Sequence, residues 1–489
     1  MTTEKDKCIN KSGNVDLPGF ARTFDLSWPN DLIAFWDFSE EQAPYKAKAG
    51  VDAFLLEVGG TAPSKVTRRP FGGGLKFNGS SDYLKIPADQ VGTLNVAQFG
   101  DAVTVVAWVN RPADALDNNS FIAGLWQEDD TNPKRQYGLF THLPTYGGYN
   151  RVCGHVSQTG GASPNLPYSR DYSTSARMIG REILRCIGFT YDGTQVKSYL
   201  DGIADIRENY TEPLLPIGEG LTYHKNPYYF DLGLNRHSIS DFTVGAVKLT
   251  SGMGNFFNSE LGGLAIFKRA LTDNEMMKLH TDMLAAGDPI QYYDFMKEGI
   301  NNSCMGDYGW KVTDGETPID MTYQGDSGAG EMLASWTMAR ASLTSKPYVF
   351  VSSLDGATGL NFFETNQFGK IMLSQLEYVE VILNGSHAGN SIKFCINVNE
   401  KWYATRADYY DTVGISEENW SNAKTRTIPI TRNAADWSEL NYVPGRVLSL
   451  GSNPTEELPN DEIKSFGILA NELIIASVLR LSDIKLFSN

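Results

Sequence analysis

Cysteine is scarce in this chain, and no cysteine has metal-binding neighbours. Only 5 cysteines occur among 489 residues, and none belongs to a C-x-x-C pair or a cysteine–histidine cluster. Structural zinc sites place Cys and His ligands at short, characteristic spacings, so the sequence argues against such a site. Five thiols cannot all pair. Cys153 and Cys186 both lie in strand-like stretches and could form a bridge, but buried free thiols are the favoured alternative.

Long apolar runs and an excess of positive charge are also missing. No uninterrupted apolar segment is long enough to cross a bilayer, which predicts that the chain has no membrane span. The 42 Lys and Arg residues against 58 Asp and Glu residues give a formal net charge of -16. Because a nucleic-acid partner requires a basic face, this charge argues against one. The first residues, MTTEKDKC, also lack the apolar core of a signal peptide.

Glycine and alternating apolar residues are abundant instead. The 47 glycines and the aromatic content of 11% suit short strands joined by tight turns. Residues 186–201, CIGFTYDGTQVKSYLD, give the clearest pattern, because Ile187, Phe189 and Tyr191 alternate with smaller or polar residues up to an Asp-Gly turn. A second alternating run follows that turn. The segment therefore predicts a β-hairpin.

The hairpin belongs to a series of segments that follow the order of one known β-sandwich family. The other segments are DLIAFWDFSE at 31–40, LKFNGSSDYLKIP at 75–87, VTVVAWVNRP at 103–112 and FFNSELGGLAIFKRALTDNEMMKLH at 256–280. Together they resemble the laminin-G-like, concanavalin A-like lectin/glucanase sandwiches. The resemblance covers residues 30–287 and implies an antiparallel sandwich. Lectins, adhesion modules, hydrolases and lyases all use this fold, so it does not specify an activity.

A second β-rich pattern follows towards the end of the chain. Residues 393–406, 427–440, 463–470 and 479–487 resemble strands of the galactose-binding-like jelly roll of carbohydrate-binding modules. A chain of this length also exceeds what one hydrophobic core usually supports. We therefore expect an all-β protein with two antiparallel β-sandwich (jelly-roll) domains in tandem. The expected division is an extension at 1–29, a first sandwich at 30–287, a linker at 288–304 and a second sandwich at 305–489.

One stretch of the first domain, residues 142–181, is rich in Arg, Tyr and His. In the family it resembles, strands here line a concave sheet on which glycans dock. Arg and His could hold a carboxylated or sulfated sugar, or could catalyse β-elimination by neutralising a uronate and moving protons. A purely structural role is the third alternative. The predicted ligand-binding residues are His142, Tyr149, Arg151, His155, Tyr168 and Arg170.

The second domain supplies further aromatic residues. Trp402 and Trp437 lie within alternating runs, which predicts that both belong to the core. Tyr409, Tyr410 and Trp420 lie in predicted loops. An exposed aromatic ring can stack on the C–H face of a sugar, so these three residues are predicted to contact a glycan.

The resemblance of the first domain also implies a structural Ca²⁺ ion, which takes hard oxygen ligands. The predicted ligands are Asp37, Glu40, Asp82 and Glu260, and ordinary turn carboxylates are the alternative for each. The family usually carries an acidic pair just before the apolar run of its closing strand. This chain has two glycines, Gly262 and Gly263, at that place, which weakens the expectation of calcium.

These observations predict a protein that binds a polysaccharide or another glycan. The alternative is a lyase or hydrolase that acts on an acidic glycan through the concave face of the first domain. The Glu-x-Asp-x-x-Glu array of laminarinase-like hydrolases is absent, as are alginate-lyase signatures, which favours binding. An adhesion module with a flat apolar patch is a third alternative. Since similar modules work outside the cell, the expected location is extracellular or at the cell surface, with the cytoplasm as the alternative.

Overall fold

In a computed structural model, the regular secondary structure of the described residues consists almost entirely of antiparallel strands, as the sequence predicts for an all-β protein. Each named strand pair among the described residues is antiparallel. The structure describes residues 28–67, 71–112, 118–143, 148, 150–163, 169–180, 184–207, 210–211, 222–223, 225–284, 289–294, 310–313, 318–319, 335–339, 348–352, 361–366, 371–385, 391–410, 424–443, 447–471 and 478–488.

Sheet I has nine strands, and its central strand is Val103–Asn110. Nearly every residue of this strand is buried on both faces, as expected for a strand packed between layers. In spatial order the sheet consists of Tyr228–Tyr229, Gln195–Leu200, Leu184–Tyr191, Val103–Asn110, Glu260–Phe267, Leu32–Trp36 and Ala49–Gly50, while Leu75–Lys76 pairs with Glu260–Phe267 and Ser64–Lys65 pairs with Leu75–Lys76.

Sheet II has eight strands and packs against sheet I through one hydrophobic cluster. The ring of Trp36 in sheet I stacks on that of Phe242 in sheet II, with ring centroids 5.9 Å apart. The two sheets therefore form a sandwich. In spatial order sheet II consists of Tyr172–Thr174, Cys153–Val156, Tyr137–His142, Ser120–Leu125, Phe242–Val244, Leu84–Ile86, Leu55–Val58 and Tyr45–Lys46.

The predicted hairpin is confirmed in sheet I. Leu184–Tyr191 pairs with Gln195–Leu200, and Tyr191 lies opposite Val196. At the turn, the Asp192 carboxylate accepts hydrogen bonds from the backbone N–H groups of Thr194 at 2.8 Å and Gln195 at 2.7 Å. Gly193 has a φ of 93°, which suits glycine. The Asp-Gly pair thus sets the turn through the chemistry expected from the sequence.

A helix follows sheet I and spans Asp273–Thr281, where the sequence predicts one because Thr272 and Glu275 have the spacing of a capping box. The Thr272 hydroxyl accepts from the N–H of Glu275 at 3.3 Å, and the Glu275 carboxylate accepts from the N–H of Thr272 at 2.9 Å, which forms a capping box. Met276, Leu279 and Met283 are buried against sheet I. The hydrogen bond from Arg269 lowers the pKa of Glu275 to about 2. The apolar stripe is core packing.

A second pair of sheets encloses its own core. The ring centroids of Phe394 and Phe466, from one sheet of this pair, lie 5.7 Å apart, in a cluster that also contains Val379 and Ile484 from the other sheet. In spatial order sheet III consists of Ser335–Ala339, Tyr348–Ser352, Val478–Ser488, Leu376–Gly385 and Lys424–Pro429, with Gln291–Asp294 paired to Val478–Ser488. Sheet IV consists of Pro318–Ile319, Trp310–Thr313, Asn361–Thr365, Ile463–Asn471, Ser391–Val398, Lys401–Thr405, Trp437–Val443 and Val447–Leu450, with Tyr409–Tyr410 paired to Ser391–Val398.

Short elements complete the described secondary structure. Two hairpins are formed by Tyr210–Thr211 with Thr222–Tyr223 and by Val247–Leu249 with Gly252–Gly254. The 3-10 helices include Gly92–Leu94, Val96–Gln98, Leu373–Gln375 and Ala434–Asp436. No helix among the described residues is both long enough and apolar enough to cross a membrane.

The segment between the two sandwiches contains ordered structure. Gln291–Asp294 lies within the range 288–304, which the sequence analysis assigns to a linker, and it pairs with the last strand of sheet III. The backbone N–H of Ile290 also donates a hydrogen bond to the carbonyl oxygen of Leu486 at 2.8 Å. This part of the predicted linker is therefore a strand. The other domain limits stay predictions, and residues 1–27 of the predicted extension lie outside the described residues.

Three cysteines can be placed in the fold. Cys153, Cys186 and Cys395 are buried free thiols, so the alternative of a Cys153–Cys186 disulfide is wrong. Cys153 lies in sheet II and Cys186 in sheet I, where each fills part of a packed layer. Cys8 and Cys304 lie outside the described residues.

Candidate functional site

Four of the residues predicted to bind a ligand in the first sandwich can be located, and all four are buried. The exposed fractions are 1% for His142, 4% for Arg151, 5% for His155 and 1% for Arg170. None of these side chains therefore contributes to an open groove. Tyr149 and Tyr168 lie outside the described residues.

His142 ends the strand Tyr137–His142 and holds the loop that follows it. Its Nδ1 atom lies 3.0 Å from the backbone nitrogen of Asn150 and 2.8 Å from the side-chain oxygen of the same residue. The guanidinium of Arg111 donates to the side-chain oxygen of Asn150 at 2.7 Å and to the carbonyl oxygen of Ile179 at 3.0 Å. These contacts join a strand end to two loops, which is a structural role.

His155 lies in an aromatic cluster on the face of sheet II that points away from the main core. Its ring centroid lies 4.4 Å from that of Trp126 and 5.0 Å from that of Tyr172. Its Nε2 atom lies 3.2 Å from the hydroxyl of Ser169. Burial, followed by the charges of Arg135 and Lys225, lowers its pKa well below the usual value. The imidazole is therefore neutral.

Arg151 and Arg170 also contact groups of the scaffold. The Arg151 Nε donates to the carbonyl oxygen of Ala176 at 3.2 Å. The backbone N–H of Arg170 donates to the hydroxyl of Ser163 at 2.7 Å. Both residues thus help to hold loops over sheet II. His142 and His155 contact different partners, so the two histidines do not share a proton.

Arg135 and Lys225 belong to this cluster but were missed by the sequence analysis. The Lys225 ammonium lies 3.9 Å from the ring centroid of Tyr172, and the Arg135 guanidinium lies 6.0 Å from that of Trp126. Both are cation–π distances. Lys225 lies about fifty residues after Tyr172 in the sequence, and no periodic pattern marks it. The nearest available signal was Trp126, because residues 121–126 predict a strand that ends at this residue.

An open cavity of about 430 Å³ lies at one end of the second sandwich. This volume falls within the range of roughly 300–1,000 Å³ that is typical of small-molecule sites. The lining includes one of the tyrosines that the sequence predicted to contact a glycan. The full lining is Thr405, Arg406, Ala407, Tyr409, Pro429, Thr431, Ala435, Asp436 and Trp437.

Tyr409 presents its ring to this cavity from a strand. Tyr409–Tyr410 pairs with Ser391–Val398, so the prediction that both tyrosines lie in a loop is wrong. The ring of Tyr409 is half-buried and packs against the core of the second sandwich. Burial, and then the charge of Asp436, raises its pKa. The side chain of Tyr410 and all of Trp420 lie outside the described residues.

Polar groups at the rim of the cavity are held by their own hydrogen bonds. The hydroxyl of Thr431 donates to the Asp436 carboxylate at 2.6 Å, and the backbone N–H of Arg406 donates to the carbonyl oxygen of Asp436 at 2.7 Å. The Trp437 indole donates to the carbonyl oxygen of Thr431 at 2.9 Å. The side chains of Arg406 and Asp436 are exposed. The cavity therefore combines a ring, a fixed carboxylate and an exposed guanidinium.

The two tryptophans that were predicted to be core residues differ in burial. Trp437 is almost completely buried, which confirms the prediction for this residue. Trp402 is half-buried on the opposite face of sheet IV, where its ring lies 5.0 Å from that of Phe362 and 5.8 Å from that of Tyr442.

The four predicted calcium ligands do not converge on one point. Asp37 accepts from the N–H of Ser39 at 2.9 Å, and Glu40 forms an ion pair with Lys48 at 2.7 Å. Within the described ranges, no group of three or more His, Cys, Asp and Glu side chains could hold a metal ion. Asp82 accepts a hydrogen bond from the backbone N–H of Asn78 at 3.0 Å, and Glu260 accepts one from the side-chain amide of Asn110 at 2.8 Å.

Comparison with known proteins gives no family for the chain. No protein-family model and no curated protein matches it. Domain 4 of AbnA, a GH43 extracellular arabinanase from Geobacillus stearothermophilus solved with arabinotriose, is 14% identical over 51% of this chain and 98% of its own length, with a TM-score of 0.34.

Two other solved structures are similarly distant. The Trypanosoma rangeli sialidase in complex with sialic acid is 16% identical over 52% of this chain and 33% of its own, with a TM-score of 0.31. The binding domain of botulinum neurotoxin DC in complex with SialylT is 9% identical over 91% of this chain and 95% of its own, with a TM-score of 0.32. At such low scores the function has to be argued from the residues of this chain.

Proposed function

We propose that this chain is a non-catalytic glycan-binding protein and that the cavity beside Tyr409 binds a sugar residue. The observation that carries the proposal is the half-buried ring of Tyr409 in an open cavity of about 430 Å³. The predicted laminin-G-like and galactose-binding-like identities of the two sandwiches are part of this proposal. So is an extracellular or cell-surface location.

The chemistry of the cavity suits a sugar. A pyranose presents C–H groups on one face, which pack against an aromatic ring, while its hydroxyl groups require hydrogen-bond partners. The Asp436 carboxylate accepts from hydroxyl groups and the Arg406 guanidinium donates to them. Arg406 also offers a bidentate contact to a carboxylated sugar. Because Tyr409 is packed against the core, its ring is already oriented before a ligand arrives.

The burial of the first-sandwich residues favours binding over the lyase alternative. A catalytic base must reach the proton that it removes and must have a suitable pKa. His155 is buried, and its pKa is lowered by burial and by neighbouring cations. His142 is buried as well, and its Nδ1 atom is in contact with Asn150. The two histidines are therefore better suited to packing the loops than to transferring a proton.

Retention on immobilised polysaccharides tests the proposal. The full chain is run through native gels that contain a neutral or a uronic-acid polysaccharide, and the absorbance of unsaturated products is followed in parallel. The variants are Tyr409→Ala, Arg406→Ala and Asp436→Asn. Tyr229→Ala is the matched control, because Tyr229 is an exposed tyrosine of the first sandwich that does not line the cavity.

We expect retention by at least one polysaccharide, a loss of about tenfold or more in affinity for Tyr409→Ala, and no change for Tyr229→Ala. Arg406→Ala and Asp436→Asn alter exposed side chains, so they test the site if Tyr409→Ala does not fold. If all three cavity variants are retained as strongly as the unmodified chain, the sugar site lies outside this cavity. Unsaturated product would make the chain a lyase.

A further inference from the structure

Residues 37–41 form the acidic loop, which follows the opening strand Leu32–Trp36 and carries the carboxylates of Asp37, Glu40 and Glu41. This loop contains two of the four residues that the sequence analysis assigns to calcium. A loop with several carboxylates and a carbonyl has the hard oxygen atoms that Ca²⁺ prefers. The structure nevertheless places a different cation beside it.

That cation is the ammonium group of Lys65, from the short strand Ser64–Lys65. It donates a hydrogen bond to the carbonyl oxygen of Phe38, in the middle of the acidic loop. Burial lowers the pKa of this ammonium group, and the attraction of the Glu41, Glu40 and Asp37 carboxylates partly offsets that shift. The ammonium also lies 5.8 Å from the ring centroid of Tyr45. Lys65 thus contacts the loop as a bound cation would.

The backbone of the loop is shaped around this contact. Phe38 is buried and has a φ of 51°, which is an unusual conformation for a bulky residue. On the other side, a Cβ atom on Gly73 would lie only 2.4 Å from the carbonyl oxygen of Asp37. Glycine therefore lets the neighbouring chain press closely against the loop. The carbonyl oxygen of Phe38 is held in place by packing from both sides.

The charges around the loop oppose the binding of a metal. Lys48 forms an ion pair with Glu40 at 2.7 Å, so two ammonium groups already face three carboxylates. A divalent ion added to this arrangement would lie next to Lys65 and would be repelled by it. The residues present do not fit a calcium site. This disagreement with the family expectation has a structural explanation.

We infer that the Lys65 ammonium takes the place of a calcium ion at the acidic loop, so that this loop is ordered without metal. The inference is independent of the proposed sugar site, which lies in the other sandwich. It predicts that calcium leaves the stability of the folded chain unchanged. Removal of the ammonium should lower this stability, because the loop then loses the hydrogen bond that Lys65 donates to the carbonyl oxygen of Phe38.

Thermal unfolding of the full chain, with calcium chloride or with EDTA, tests the inference. The variants are Lys65→Ala, Lys65→Met, which keeps most of the aliphatic stem, and Lys65→Arg, which keeps the charge. Lys85→Ala is the matched control, since Lys85 is a surface lysine of the same sandwich that lies 3.9 Å from the Asp241 carboxylate. Isothermal titration with calcium measures the number of bound ions for each protein.

We expect the Tm of the unmodified chain to be the same in calcium chloride and in EDTA. Lys65→Ala and Lys65→Met should lower the Tm by about 2–4 °C in both solutions. Lys65→Arg, which keeps the charge, and Lys85→Ala should lower it less, and titration should show the same number of bound calcium ions for the variants and the unmodified chain. The inference is overturned if Lys65→Ala and Lys65→Met unfold at the same temperature as the unmodified chain. An unmodified chain that needs calcium at this loop, so that Asp37→Asn abolishes its response to EDTA, would also overturn it.

Discussion

The imidazole of His155 lies against the indole of Trp126, with ring centroids 4.4 Å apart and an interplanar angle of 34°. The Trp126 indole N–H donates to the Glu128 carboxylate at 2.7 Å, which fixes the orientation of the larger ring. His155 was predicted to meet a sugar, but its partner is another side chain of the same sheet. The pair shows how a residue with binding chemistry can serve packing instead.

The buried His155 should make stability depend on pH. Its pKa is lowered in the folded state, whereas the unfolded chain takes up a proton near pH 6.5. The unfolded state therefore binds more protons below that pH, and the free energy of unfolding decreases as pH falls. His155→Phe keeps a ring and removes the titrating group. When the pH is lowered from about 7.5 to 5.5, the free energy of unfolding of this variant should therefore decrease by about 1 kcal/mol less than that of the unmodified chain.

Urea denaturation at both pH values measures this difference, with His237→Phe, at an exposed histidine, as the control. Equal losses in the His155→Phe variant and the unmodified chain would mean that His155 is protonated in the folded state, contrary to the prediction.

Removal of the Asp205 carboxylate should strongly destabilise the first sandwich. The Arg177 Nε lies 2.9 Å from one carboxylate oxygen of Asp205 and 3.0 Å from the other, and both side chains are buried. Asp205→Ala leaves a buried guanidinium without this carboxylate, which typically costs about 3–5 kcal/mol. Chemical denaturation measures the loss. Lys268→Ala, which breaks an exposed pair with Asp31, should cost no more than about 1 kcal/mol. Similar losses in the two variants would contradict this.

Gly154 should not accept even a methyl group. A Cβ atom at this position would lie 2.3 Å from the Cβ of Phe189 on the opposing sheet. We expect Gly154→Ala to lower the free energy of unfolding by about 1–3 kcal/mol, because the two sheets would have to move apart. Gly100→Ala is the matched control, since its Cβ would meet nothing within 4 Å. Guanidinium denaturation of both variants checks this, and two equal stabilities would contradict the close contact.

The buried thiols should be unreactive in the folded protein. Burial raises the pKa of Cys153 to about 12 and also raises that of Cys186. Since the thiolate is the reactive form, neither should react with a thiol reagent such as DTNB. A variant with Ser at positions 8 and 304 should show no reaction when folded and 3 reactive thiols in guanidinium chloride, from Cys153, Cys186 and Cys395. Fast reaction of the folded variant would contradict the burial.

Local features of the fold could be predicted accurately from the sequence. The Asp192-Gly193 turn and the Thr272–Glu275 capping box depend on residues within four positions of one another, and both are present. The strand Val103–Asn110 lies within the segment 103–112 that the sequence indicates as part of a sandwich, and both of its faces are largely apolar. These features need only the backbone preferences and hydrogen-bonding groups of neighbouring residues.

The candidate site could be predicted only in part. Tyr409 was singled out as a residue that contacts a glycan, which stays a prediction; it lines an open cavity, but it lies in a strand rather than a loop. Arg406 and Asp436, which share its cavity, were not singled out. They are separated by about thirty residues, and they meet because the strands Lys401–Thr405 and Trp437–Val443 pair with each other. No local pattern reports that pairing.

The sequence by itself determined that the chain is all-β, where its clearest turn and helix cap lie, and that its composition disfavours zinc. Only the tertiary structure decided that His142, Arg151, His155 and Arg170 are buried, that Lys65 lies against the acidic loop, and that an open cavity lies beside Tyr409. The physical reason is that alternation along a strand fixes which side chains share a face, whereas their exposure depends on which distant segments pack over that face.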